Sequence, residues 1–132
     1  FCRTRDLLAR AETAFRYEFR VVPSFSVNDG SDMRFLGSFH GAEVPFVFGD
    51  TFELKSRAER DVASIMGCYW TSFAAFGDPN AAPCAKARPT WPEAHQNASL
   101  LAFDANATSG DVDVHVEAGP KARICDAFAR FP

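Results

Sequence analysis

The stretch Ser56 to Asn80, SRAERDVASIMGCYWTSFAAFGDPN, sets the architecture of this chain. Ser56 and Glu59 form an S-x-x-E capping box, in which each side chain satisfies an orphan amide of a first helical turn. Val62, Ile65, Met66, Tyr69, Trp70, Phe73 and Phe76 then recur with a period near 3.6, predicting a helix from about Arg57 to Phe76 with one broad apolar stripe. Gly77 stands where a left-handed residue ends a helix, and Pro79 prevents continuation. A stripe with a Trp, a Tyr and two Phe calls for a large partner surface.

Upstream, Phe15 to Val22 (FRYEFRVV) alternates Phe15, Tyr17, Phe19 and Val21 with Arg16, Glu18 and Arg20, which predicts a strand with one face in the core. Pro23 ends it. Ser24 to Met33 reads as an exposed loop leading to Leu36-Gly37-Ser38-Phe39-His40-Gly41. Leu7, Leu8 and Ala11 give Cys2 to Thr13 the apolar side of a short helix. Downstream, Asp78 to Pro92 is loop, Leu100 to Phe103 and Val112 to Val116 are short strands, and Lys121 to Phe131 is a last helix opened by Gly119-Pro120. Strands interleaved with helices give an α/β arrangement, and an incomplete one.

The 132 residues suffice for one modest domain, with 47% hydrophobic and 23% charged residues, and 14 phenylalanines imply much buried surface. A formal net charge of −3 gives no reason to expect a nucleic-acid partner. No apolar run reaches the roughly 18 residues of a membrane span. The chain opens at Phe1-Cys2 with no signal-like segment, which reads as the interior of a longer protein. The sequons Asn97-Ala98-Ser99 and Asn106-Ala107-Thr108, with an even number of cysteines, point to glycosylation at Asn97 and Asn106 and to a secreted, extracellular protein. Cys2, Cys68, Cys84 and Cys125 lack the close spacing of a zinc site, so no metal is expected.

Of the histidines, His95 and His115 read as solvated surface. His40, on a loop after a strand and beside Gly41, has the placement of a presented catalytic group. A histidine hydrogen-bonded to Glu43 or to a backbone carbonyl fits the same residues.

Leu36 to Gly49, LGSFHGAEVPFVFG, resembles the histidine segment of type-B carboxylesterases, the cholinesterase-like branch of the α/β-hydrolase fold, with its pattern HG-x-E-[LIV]-x-[FY]-V-F-G. Tyr69 to Asn80 resembles the family's Y-W-x-x-F-A-x-x-G-D-P-N, and Trp91-Pro92 its following WP. The likeness covers essentially residues 1–132 and implies the C-terminal portion of such a domain: a few strands of the central sheet with packing helices, incomplete without the upstream part of its own chain. It implies that His40 is the triad histidine of a Ser-His-Glu/Asp hydrolase acting on a small-molecule or lipid-like carboxylic ester, with no cofactor. Gly41 and Glu43 then sit structurally beside it, Glu43 as a buried loop anchor, and Phe39, Phe46 and Phe48 are candidate apolar walls. The likeness also implies a Cys2–Cys125 disulfide. For Cys68 the default is a buried free thiol; because Gly77 turns the chain, a bond to Cys84 is the alternative.

The family's nucleophile lies in a G-x-S-x-G elbow, and no such pattern occurs here; Gly37-Ser38-Phe39-His40-Gly41 has its serine in the wrong place. Nucleophile and acid both precede the histidine in this fold, so the chain alone is expected to be inactive. The competing reading of the whole is a cholinesterase-like adhesion or binding domain without turnover.

Overall fold

A computed structural model describes residues 13–25, 34–49, 54–84, 88–94, 99–105 and 109–119. Three strands form one sheet in the order β1 (Tyr17–Phe19), β2 (Leu100–Ala105), β3 (Val112–Glu117). β1 and β2 run parallel, with Tyr17 opposite Leu101 and Phe19 opposite Phe103; β2 and β3 run antiparallel, from Leu100 opposite Glu117 to Ala105 opposite Val112. Leu100, Leu101, Ala102 and Phe103 are all fully buried, so the central strand reads as a continuous apolar run rather than an alternation. β1 is shorter than its alternating sequence suggests. Phe15 forms only an isolated bridge to Glu93, while Val21, past the strand, is still buried.

Among the described residues, the long helix packs on the sheet and a short one packs against it. The short α1 (Val44–Phe48) follows the His40 segment, and α2 (Arg57–Phe76) keeps the bounds expected from its periodicity. The capping box is formed: the Ser56 hydroxyl accepts from the Glu59 amide at 3.0 Å, and Glu59 Oε2 accepts from the Ser56 amide at 2.7 Å. Gly77 ends α2 at φ 71°, its amide bonded to the Phe73 carbonyl at 2.8 Å. The apolar stripe is buried through Val62, Ile65, Met66 and Tyr69. Phe73 and Phe76 are 51% and 66% exposed, Phe73 with its ring edge-on to Phe15. The core joins Val62, Ile65, Met66 and Tyr69 to Phe46, Trp91, Leu101 and Phe103.

Glu59 has a second role that the capping box did not announce. Its carboxylate also accepts from the Ser24 amide at 2.6 Å and the Ser24 hydroxyl at 2.7 Å, tying the chain after β1 to the start of α2. Burial pushes this carboxyl up, but the hydrogen bonds from Ser56 and Ser24 outweigh it and leave it below its ordinary value of 4.5. A depressed carboxyl contributes stability at pH above 4.5 that is lost as pH falls through its lower folded value. Thermal denaturation followed downward from neutral pH should therefore show a steep loss of melting temperature on the acid side, shallower in Glu59→Gln. An unchanged slope in that variant would remove Glu59 from the acid response.

The residues after α2 form a set of local bonds that account for the Gly77-Asp78-Pro79-Asn80 sequence. Asp78 Oδ1 accepts from the Asn80 amide at 2.8 Å, closing an Asx turn. The Asn80 side chain then imitates a strand backbone: its Oδ1 accepts from the Trp91 amide at 2.8 Å and its Nδ2 donates to the Trp91 carbonyl at 3.0 Å. Trp91 in turn donates from Nε1 to the Arg16 carbonyl at 2.9 Å. Arg88 closes the loop, with Nη1 on the Pro79 carbonyl, Nη2 on the Ala82 carbonyl and its guanidinium 4.0 Å over the Tyr69 ring. Cys68 is not a free thiol. It is bonded to Cys84, with their α-carbons 6.1 Å apart, because the turn at Gly77 folds the loop back along α2.

On the sheet face away from α2, Arg20 makes a bidentate pair with Glu117 at 2.6 and 2.8 Å, reaching across β2. His115 points away from the valines of its strand as expected, but its ring is engaged: Nε2 lies 3.1 Å from Glu117 and Nδ1 3.0 Å from Asp113. The bond to Glu117, with Asp113 adding to it, raises the His115 pKa; Arg20 and then His115 hold Glu117 down at about 2. The expected helices at 2–13 and 121–131, the Cys2–Cys125 bond, His95, Asn97 and Asn106 lie outside the described residues.

Candidate active site

The described part of the segment from β1 to α1 is fixed at several points. A 3-10 turn at Arg34–Leu36 runs into Gly37 at φ 63°, and the chain reverses through Phe39, His40 and Gly41, the last at φ 82°. Those signs of φ suit glycine and would strain a residue with a Cβ. The Ala42 amide bonds to the Phe39 carbonyl at 3.1 Å and the Val44 amide to the Gly41 carbonyl at 3.2 Å. Ser38 donates its hydroxyl to the Phe19 carbonyl at 2.7 Å.

Packing holds the same segment from beneath. Phe39 meets Phe25 edge-on, with ring centroids 6.5 Å apart, and Ala42 is fully buried. Phe46, the middle of α1, is 0% exposed and its ring centroid lies 4.9 Å from that of Phe19. Pro45 falls where an unbonded amide is tolerated, and Gly49 closes α1 at φ 76° with its amide on the Pro45 carbonyl at 2.8 Å. This five-residue helix was not visible in the alternation-free run VPFVF, where aromatic and β-branched residues suit a strand equally well.

His40 itself is exposed. Neither Glu43 nor a carbonyl among the described residues hydrogen-bonds its ring. Glu43 is half-buried rather than buried. Its carbonyl accepts from the Phe46 and Val47 amides, both at 3.0 Å, so its backbone starts α1, while its carboxylate adds to burial in raising the Tyr17 pKa. Phe46 is sealed in the core; Phe48, 71% exposed, lines a groove of about 560 Å³ between α1 and α2 with Gly49, Leu54, Arg60 and Gly67. A second cavity, about 170 Å³, is walled by Phe15, Tyr17, Tyr69, Trp70, Phe73 and Trp91. His40 lines neither. Among the described residues, no His, Cys, Asp and Glu side chains gather in a group able to hold a metal ion, and no helix is long and apolar enough to cross a membrane.

The His40 imidazole is thus exposed on a glycine-flanked turn, with no hydrogen-bond partner among the described residues, above the buried Ala42 and Phe46. Comparisons with known proteins identify the family. Residues 2–127 match the model of the carboxylesterase family. The chain is 33% identical over 104 residues to mouse carboxylesterase 1C, covering 77% of this chain and 18% of that protein. It is 32% identical over 108 residues to human carboxylesterase 3, covering 74% and 18% respectively. It is also 29% identical over 84 residues, 61% of the chain and 14% of the relative, to a Byssochlamys spectabilis protein named inactive carboxylesterase-like protein VdtD.

The chain belongs to the carboxylesterase family. It spans under one-fifth of the length of these curated relatives, and its small mixed sheet with flanking helices is compatible with part of an α/β-hydrolase fold.

Proposed function

We propose that these residues form the C-terminal portion of a secreted, glycosylated serine-type carboxylic ester hydrolase, and that His40 is its general base. The observation carrying this reading is the exposed His40 imidazole on a turn held by Ser38, by the Phe39 carbonyl and by the buried Ala42. In the complete protein, His40 Nε2 takes the proton of a serine hydroxyl as it attacks the ester carbonyl, then returns it to the leaving alcohol. A carboxylate on Nδ1 fixes the tautomer and stabilises the imidazolium. Serine and carboxylate both come from the upstream part of the chain. The substrate is a small-molecule or lipid-like ester, and the chemistry needs no metal or cofactor.

Without a nucleophile the covalent route is closed, so the purified 132-residue chain should hydrolyse no ester above background. Turnover by this chain that disappeared in His40→Ala would overturn the division of the triad. A second reading, a non-catalytic binding domain of the same fold, draws on the relative named inactive. Reading the upstream sequence for a G-x-S-x-G elbow separates the two.

A further inference from the structure

We propose that Ser38 is a positioning residue for His40, a tether that locks the catalytic turn to the end of β1; this rests on the reading of His40 as the general base. Ser38 is exposed, yet its hydroxyl is not left to solvent. It donates to the carbonyl of Phe19, 19 residues earlier, at 2.7 Å.

The register explains why that carbonyl is available. In a parallel pair, alternate residues of a strand face the neighbour. The Arg16 carbonyl accepts from the Leu101 amide and the Arg20 amide donates to the Phe103 carbonyl, so residues 16 and 20 turn their backbone toward β2. Phe19, of opposite parity, turns its carbonyl away from β2, toward the side where the His40 turn lies. Ser38 satisfies it there.

Only Phe39 separates Ser38 from His40. On either side stand Gly37 and Gly41 with φ of 63° and 82°, the conformations a chain with no Cβ enters most freely. After the turn, Ala42 is buried and α1 begins; before it, Ser38 is the only hydrogen-bonded side chain between Gly37 and His40 among the described residues. Without it the turn hangs from the Phe39 ring alone on its upstream side. A base displaced by a fraction of an ångström loses rate while substrate binding, made elsewhere, is untouched.

Three variants of the full-length protein carrying these residues test this: Ser38→Ala, Ser38→Thr and His40→Ala. Ser38→Ala should lower kcat about tenfold with KM and melting temperature unchanged, in keeping with the loss of one modest hydrogen bond plus misplacement. Ser38→Thr, which keeps the hydroxyl, should restore kcat. In the same full-length protein, Ser38→Ala should accelerate amide exchange at Ala42 and Val44, which bond within the turn. A wild-type kcat in Ser38→Ala, or a kcat loss that Ser38→Thr does not restore, overturns the tether while a dead His40→Ala leaves the base assignment standing. A fully active His40→Ala overturns the assignment beneath it.

Discussion

His40→Ala in the full-length protein is expected to lower kcat by a factor on the order of 10⁴ to 10⁶, with KM little changed. The reasoning is electrostatic and geometric. A serine hydroxyl at neutral pH is a poor nucleophile, and the imidazole removes its proton as the bond to the carbonyl carbon forms. Each tenfold is about 1.36 kcal/mol, so one side chain supplies roughly 5 to 8 kcal/mol of transition-state stabilisation. Because the ring is exposed and carries no structural hydrogen bond among the described residues, its removal should leave the melting temperature where it was. Steady-state hydrolysis of a chromogenic short-chain ester, beside a thermal melt, reads both. A loss of activity that tracked a loss of fold would assign His40 a structural role instead.

Phe46→Ala should have the largest effect on stability, about 3 to 5 kcal/mol. Phe46 is 0% exposed and packs its ring against Phe19 and Phe25, with centroids 4.9 and 6.2 Å away. It is the point where α1, the strand before the active turn and the chain beyond that strand meet. Truncating it leaves a void and removes the edge-on contact with Phe19 and the tilted one with Phe25. Since domains have only about 5 to 15 kcal/mol of net stability, the variant should show a clearly lower urea midpoint. Phe48→Ala, two residues on and 71% exposed, should stay within about 0.5 kcal/mol of the parent. Equal effects at the two positions would contradict the packing described.

What the sequence made legible follows from how local each signal is. α2 was readable to the residue, because its cap, its period and its terminal glycine all lie within its own 20 residues. The second role of Glu59 was not, since its Ser24 partner is 35 residues away and nothing in S-x-x-E encodes it. The Cys68–Cys84 bond depends on the path of the loop after Gly77, which is set by Asn80 docking on Trp91 and by Arg88 over Tyr69. Those contacts also give physical content to the Gly-Asp-Pro-Asn and Trp-Pro motifs, which the sequence offered only as a resemblance. α1 escaped because four aromatic and β-branched residues around a proline carry no period.

For the site, His40 was legible as a residue type in a motif, and the structure adds its exposure and its buried supports. Its proposed acid and nucleophile were never readable here, because the geometry of a triad is assembled from distant chain segments. The exposed Phe73 and Phe76 at the end of α2 have a similar cause: a 3.6-residue pattern says which face is apolar, not how much of it the neighbouring elements cover.

The most direct measurement is active-site labelling with a fluorophosphonate, a reagent that phosphorylates only an activated serine. The full-length protein should take up one equivalent on a serine upstream of these 132 residues, His40→Ala should react slower by several orders of magnitude, and the isolated chain should remain unlabelled. Labelling at a rate indifferent to His40, or a modified serine within this chain, would contradict the assignment of His40 as the base of a triad completed from elsewhere.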